Sequence, residues 1–204
     1  MPPTPTRERD PEAKRIRIID AALDLFQRQG FAETTIDEIA AAARVGRRTV
    51  FDHFPTKQAI VFGHLAVRRE VVLAGLRERP PTEPPLVSLH AVLRDQCVEG
   101  YDRALLDQIR NIIASEPKLA VHHLTIGIES FERTIIETLE ARRGTSRGSV
   151  EIHAVTEMAL AWFITAVRLY VKNHRRSLVR CFDEVVAACV EAGPAVHPLA
   201  IANR

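Results

Sequence analysis

Residues 34–57 constrain the fold of this chain more than any other segment, because they carry start signals for two short helices a few residues apart. A helix beginning after Thr35 has a capping box, since the Thr35 hydroxyl can accept from the Glu38 amide while the Glu38 carboxylate reaches back. Gly46 is an acceptable N-cap for the second helix. The segment therefore predicts two helices joined by a tight turn.

Each of these two short helices has one face suited to burial. On the first, apolar side chains recur at three- and four-residue spacing, which places them on one side; they are Ile36, Ile39, Ala40 and Ala43. On the second, Val50 and Phe54 share the inner side, and Val45 is expected to fill the turn. We assign Phe51 to the core together with Phe54.

The other side chains of the second helix point away from this core. They are Arg47, Arg48, Thr49, Asp52 and His53. A helix-turn-helix presents the first outward residues of its second helix to base edges in the DNA major groove. The formal net charge of the chain is only +2, but residues 44–57 hold four Lys and Arg against one carboxylate. Such a local positive patch is typical of a protein that reads DNA sequence.

A set of positions from the first helix to the start of the fourth forms a recognisable pattern. The set comprises Ile19, Ala21, Ala22, Leu25, Phe26, Gly30, Phe31, Thr34, Thr35, Ile36, Ile39, Ala40, Val45, Thr49, Val50, Phe51, His53, Phe54, Pro55, Thr56 and Lys57. It resembles the TetR family of bacterial transcriptional regulators. The resemblance implies an all-α fold of about nine helices, in which an N-terminal three-helix, helix-turn-helix DNA-binding domain precedes a C-terminal helical ligand-binding and dimerisation domain. It also implies a dimeric repressor that binds a palindromic operator and is released by a small molecule.

Three positions depart from the family pattern. Arg44 stands where glycine is frequent, so a left-handed backbone there would cost about 1 kcal/mol. Gly46 and Phe51 stand where serine or threonine and tyrosine are frequent, and each change removes a hydroxyl that could touch phosphate. We therefore expect DNA contacts from Thr35, Arg44, Arg47, Arg48, Thr49, His53 and Lys57.

Start and stop signals divide the chain into four parts. Residues 1–9 are expected to form a disordered arm, 10–56 the DNA-binding domain, 57–193 the helical effector-binding and dimerisation domain, and 194–204 a tail. The first helix should begin at Pro11 after an Asp10 cap and stop near Gly30. A fourth helix should run from Thr56 to about Arg79.

Four prolines in residues 80–85 must end that fourth helix, and we interpret them as a rigid elbow. Five further helices are expected, at 86–100, 102–114, 116–143, 150–174 and 176–192. Gly144 and Gly193 are the expected stop signals for the third and fifth of these.

The last two helices carry more apolar and small residues than one buried face requires, which indicates a second partner. The predicted dimer interface comprises Met158, Ala159, Trp162, Phe163, Ala166, Val185, Val186 and Cys189. A two-fold dimer would set two recognition helices about 34–36 Å apart, or a multiple of that distance. The alternative is that Trp162 and its neighbours form only the core of one chain.

A cavity between the helices from Leu65 to Phe131 is the predicted effector site. Apolar residues with sparse polar ones in this region suit a largely apolar ligand. The candidate lining residues are His90, Arg94, Cys97, Tyr101, Arg110, His123 and Phe131. For each of these residues, an ordinary place in the core or on the surface is the competing interpretation.

A hydrolase and a protein-binding adaptor are the two alternatives to a DNA-binding regulator. Residues 144–148 match the G-x-S-x-G motif of hydrolases with Ser146 as nucleophile, but helical spacing precedes them where that motif needs a strand. A helical adaptor that binds proteins and no DNA would keep the dimer helices, but it leaves the outward Arg47 and Arg48 unexplained. The chain is therefore not expected to be an enzyme.

Composition indicates a cytoplasmic protein. The N-terminus lacks the apolar core of a signal peptide, and no apolar run approaches the roughly 20 residues that span a bilayer. Cys97, Cys181 and Cys189 are odd in number and have no metal-ligand spacing, which favours reduced thiols. We expect no cofactor, no metal and no membrane partner.

Overall fold

The computed structural model describes residues 11–116, 118–119, 129–144, 148–173 and 175–201, the last nine of these by their backbone alone. The described residues hold ten helices and no strand, which confirms the all-α fold. The helices are α1 Pro11–Gln29, α2 Ile36–Ala42, α3 Arg47–His53, α4 Lys57–Val61, α5 Gly63–Glu78, α6 Pro85–Glu99, α7 Arg103–Ser115, α8 Glu129–Arg143, α9 Val150–Lys172 and α10 Leu178–Ile201.

Local signals set most of the helix ends. α1 stops before Gly30, whose φ of +92° suits a residue without a Cβ. α3 begins after Gly46 without a side-chain cap, whereas the Thr56 hydroxyl accepts from the Ala59 amide at the start of α4. α8 ends before Gly144, with φ +62°, as predicted.

The expected continuous fourth helix is wrong, because the chain breaks between α4 and α5 at Phe62. Phe62 is buried, with φ −98° and ψ 10°. A Cβ on Gly63 would lie 2.6 Å from the Ile19 side chain, so the backbone approaches α1 closely at this point. Packing between distant segments, which local helix signals do not contain, therefore divides the helix, and the described residues hold ten helices where about nine were expected for the chain.

The expected stop at Gly193 is also wrong, since α10 continues to Ile201 through most of the segment assigned to a tail. A glycine allows a left-handed helix end but does not impose one. The predicted arm at 1–9, the Asp10 cap and most of the residues from 117 to 128 lie outside the described residues. The 116–143 helix is therefore confirmed only over α8.

The proline-rich segment forms the predicted break between α5 and α6. The Glu83 amide donates to the Pro80 carbonyl at 3.0 Å, and the Glu83 carboxylate accepts from Arg79 and from the Ser88 hydroxyl. These two hydrogen bonds, that from Arg79 foremost, lower the pKa of Glu83 to about 2. Arg142 of α8 donates to the Pro80 carbonyl at 2.7 Å. The turn is thus tied to its neighbouring helices.

The described residues divide into two compact units. The first contains residues up to Glu70 and those from Ala104 to Ser130; the second contains Val71–Arg103 and the residues from Phe131 onward. The core of the first unit joins α1–α4 and also α7, through Ile109 and Ile112. The core of the second joins α5, α6, α8, α9 and α10. The domain boundaries at 56 and 193 stay a prediction.

Candidate DNA-binding site

The two helices of the predicted motif pack against α1 in the first unit, and the turn between them is tight. Arg44 has φ +54°, so it takes the left-handed backbone that favours glycine. The Arg44 amide donates to the Ala41 carbonyl at 3.1 Å, and the Val45 amide donates to the Ala40 carbonyl at 3.0 Å. These bonds satisfy the last carbonyls of α2, which offsets part of the strain at Arg44.

The capping box at the start of α2 is present as predicted. The Glu38 amide donates to the Thr35 hydroxyl at 3.2 Å, and the Thr35 amide donates to Glu38 Oε2 at 2.8 Å. The Thr35 hydroxyl also donates to Glu38 Oε2 at 2.8 Å. The hydrogen bonds from Thr35 lower the pKa of Glu38. The Thr35 side chain is thus used within the fold.

Three arginines lie on the exposed part of the motif. Arg47 lies at the start of α3 and pairs with Asp37 of α2 at 3.2 Å, with both side chains about two-thirds exposed. Arg44 and Arg48 are exposed and have no partner among the described residues. Their guanidinium groups are therefore available to phosphate or to base edges.

Phe51 does not belong to the core, so its predicted place there is wrong. Its side chain is 45% exposed, whereas Val50 and Phe54 are 0% and 2% exposed. Successive residues of a helix project about 100° apart, so Val50 and Phe54 take the inner line and Phe51 falls outside it. The Arg47 guanidinium lies 5.7 Å from the centre of the Phe51 ring.

The remaining predicted contacts are less accessible. Thr49 and His53 are half-buried, and the His53 ring lies 6.4 Å from that of Phe54. The Lys57 ammonium donates to three backbone carbonyls, at 2.6 Å from Phe31, 3.2 Å from Ala32 and 2.8 Å from Thr34. Burial lowers the pKa of Lys57, and the nearby Glu33 opposes this shift.

Lys57 therefore fastens the segment between α1 and α2. Its ammonium also lies 4.4 Å from the centre of the Phe31 ring. An ammonium has three protons, and three carbonyls are within reach of them. A direct bond from Lys57 to phosphate would have to replace one of these.

The predicted effector residues divide between the two units. In the second unit Arg94 forms a two-bond pair with Asp183, at 2.8 and 2.9 Å, and the His90 ring lies 5.6 Å from that of Phe182. Cys97 is buried, which raises the pKa of its thiol to about 12. Tyr101 and Phe131 pack against the same core.

Arg110 belongs to the first unit, where it pairs with Asp107 on its own helix, and His123 lies outside the described residues. The prediction missed Thr156, which is fully buried in the second unit with a hydroxyl that has no partner among the described residues. A threonine at a core-facing position of an otherwise apolar helix was the available signal.

The predicted dimer residues fall into three groups. Ala159, Trp162 and Ala166 are buried within one chain, whereas Met158 and Cys189 are exposed. Phe163, Val185 and Val186 are half-buried against the core of the second unit. The exposed face of α9 instead carries apolar and small residues at helical spacing: Val150, Ala154, Met158, Ala161, Thr165 and Leu169. We call these six residues the α9 stripe.

α9 is long and apolar enough to cross a membrane, judged by length and composition alone. Only 28% of its most apolar window is buried within the chain. Length and composition do not distinguish a membrane-spanning helix from a helix whose exposed apolar face is covered by a partner. Ser146, the candidate nucleophile, lies outside the described residues, and a helix, not a strand, ends three residues before it.

The chain is similar in sequence to known bacterial transcriptional regulators. Residues 18–62, which include α2 and α3, match the family model of bacterial regulatory proteins of the tetR family. The transcriptional regulator MftR of Mycobacterium tuberculosis is 43% identical over 162 residues, which cover 77% of each chain. TcmR of Streptomyces glaucescens is 34% identical over 145 residues, and the match spans 68% of this chain and 64% of TcmR.

Solved structures share the fold. SmeT of Stenotrophomonas maltophilia aligns with a TM-score of 0.52 at 22% identity, over 85% of this chain and 89% of SmeT. FadR of Thermus thermophilus, solved in complex with lauroyl-CoA, aligns with a TM-score of 0.50 at 25% identity, over 87% of this chain and 93% of FadR. The chain belongs to the TetR family of bacterial regulatory proteins.

Proposed function

We propose that this chain is a ligand-responsive transcriptional regulator of the repressor type, which binds a palindromic operator as a dimer and leaves it when a small, largely apolar effector binds. The observation that carries the proposal is the outward face of α3 and its turn. Arg44, Arg47 and Arg48 are exposed there, Arg47 lies beside the exposed Phe51 ring, and all three arginines belong to the segment that matches the family model.

The residues of the motif have three proposed roles: base contact, phosphate contact and support of the fold. Arg47 and Arg48 start α3 and are the proposed base readers, because a helix-turn-helix directs this end of its second helix into the major groove. Arg44 in the turn is a proposed phosphate contact, with Thr49 and His53 at the edge of the surface. Thr35 and Lys57 support the site, since their polar groups already bond within the unit.

The proposed dimer interface is the α9 stripe, in continuity with exposed Cys189 and Val190 of α10. Val190 is 67% exposed, and Met158 and Leu169 are each 38% exposed. An apolar face of this length on a water-exposed helix is stabilised when a second copy covers it. Two-fold symmetry would then match the two α3 helices to two operator half-sites.

The proposed effector site lies in the core of the second unit. The Thr156 hydroxyl and the Cys97 thiol are buried polar groups of this unit, and Tyr101 and Phe131 are partly buried against its core. Arg94 is already paired with Asp183. The lauroyl-CoA in FadR supports a ligand with a long apolar part. Such a ligand weakens DNA binding only by as much as its affinity for the form that does not bind DNA exceeds its affinity for the form that does. We place this equilibrium in the cytoplasm, where the operator DNA is.

The test is selection from fragmented genomic DNA at fixed salt by the wild-type chain and by an Arg47→Ala/Arg48→Ala variant. The matched control, Arg28→Ala/Arg77→Ala, removes the same charge from exposed positions on α1 and α5. We expect the wild type and the control to enrich one palindromic site and the α3 variant to lose at least 100-fold in affinity for it. Equal, sequence-independent retention of DNA by all three would favour the adaptor without sequence-specific DNA binding.

A further inference from the structure

Phe51 is an exposed aromatic side chain that the fold itself does not use. Its ring is 45% exposed on a helix of seven residues, while Val50 and Phe54 supply the buried side of that helix. Leaving this ring in water forgoes the stabilisation that burial would bring. Polar side chains fill most of the surrounding surface, so the ring is better explained by a partner than by folding.

One cation lies beside the ring, and two more belong to the same exposed segment. The Arg47 guanidinium lies 5.7 Å from the centre of the ring, and Arg44 and Arg48 are exposed without a partner among the described residues. An exposed apolar group in a positively charged segment does not suit an apolar protein partner or a lipid tail. It suits a polyanion that also presents an apolar group at its surface.

Duplex DNA has one such group in the major groove, the C5-methyl group of thymine. A phenyl ring can cover this methyl and exclude water from it, and an arginine can bond the O6 and N7 atoms of a neighbouring guanine. Phe51 and Arg47 lie one helical turn apart on the same side of α3, which matches neighbouring base pairs.

We propose that Phe51 reads a thymine methyl group in each operator half-site, next to the base pair that Arg47 contacts. This inference rests on the proposed function, because it requires α3 to enter the major groove. Beyond the arginine contacts, it specifies thymine at one operator position and an apolar contact that recognises it.

The test replaces thymine by uracil in the selected operator, one position at a time, because uracil differs only by the missing methyl group. Burial of one methyl-sized group corresponds to about a fourfold change in affinity. We expect one thymine in each half-site whose replacement weakens wild-type binding about fourfold. The same replacement should leave binding by Phe51→Ala unchanged, and Phe51→Leu should keep part of the dependence.

Ile16→Ala is the matched control, since Ile16 is also apolar and 39% exposed in the same unit, but on α1. This variant should keep the full dependence on the methyl group. Melting temperatures equal to that of the wild type show that the variants are folded.

Other outcomes contradict either the role of Phe51 or the proposed function. If uracil has no effect at any position, or weakens wild type and Phe51→Ala equally, Phe51 does not read a methyl group although the regulator stands. If the wild-type chain selects no operator from the genome, the proposed function fails together with the inference.

Discussion

Replacing Lys57 by methionine tests whether this lysine supports the fold or touches DNA. Methionine keeps the length and flexibility of the aliphatic chain but removes the ammonium. The ammonium donates to the carbonyls of Phe31, Ala32 and Thr34, and two of these bonds, to Phe31 and Thr34, are partly buried. We therefore expect lower stability, while the number of phosphate contacts stays the same.

The expected loss of folding free energy in Lys57→Met follows from the two partly buried hydrogen bonds. A hydrogen bond from a charged donor contributes about 1.5–3 kcal/mol, and the lower end applies because Lys57 is not fully buried. Two such bonds give about 3 kcal/mol, with water replacing the more exposed bond to Ala32. For a chain of 204 residues this corresponds to a fall in melting temperature of roughly 6–12 °C.

Two assays separate the interpretations of Lys57. Thermal unfolding followed by circular dichroism measures stability, with Lys118→Met as the control because Lys118 is exposed in the same unit. The salt dependence of operator affinity counts phosphate contacts: Arg44→Ala should lower the slope by about 0.9 for each phosphate that Arg44 neutralises, and Lys57→Met should leave it unchanged. A Lys57→Met variant as stable as the control, or one with a reduced salt slope, would refute the reasoning.

Two further predictions concern the second unit. The pKa of Glu83 is about 2, below its ordinary 4.5, so its stabilising effect is present above pH 4.5 and is lost as the pH falls toward 2. The melting temperature of Glu83→Gln should therefore fall less than that of the wild type over this pH range. Ala161→Glu should dissociate the dimer, because it buries a charge in the α9 stripe, whereas Ala141→Glu on the exposed face of α8 should leave the dimer intact. Sedimentation velocity measures the oligomeric state of both variants. An unchanged dimer with Ala161→Glu would exclude α9 from the interface.

Features set by neighbouring residues could be predicted from the sequence. The capping box of Thr35 and Glu38 involves bonds between residues three positions apart, and it is present in the structure. The helix ends at Gly30 and Gly144 belong to the same class.

Features that depend on distant segments could not be predicted in the same way. The break at Phe62 follows from the approach of Gly63 to Ile19, some forty residues earlier. The engagement of Lys57 depends on carbonyls more than twenty residues away. A helical pattern also could not distinguish Trp162, buried within the chain, from the exposed Met158 four positions earlier. Spacing identifies the face of a helix, but not what covers it.

The central claim is that the outward face of α3 lies in the major groove of an operator. Protection of guanine N7 from dimethyl sulfate tests it directly, because N7 is exposed only in the major groove. We expect wild-type protection at two half-sites separated by about 34–36 Å or a multiple of it, and no such protection by Arg47→Ala/Arg48→Ala. Tight binding with every guanine N7 still reactive would contradict it.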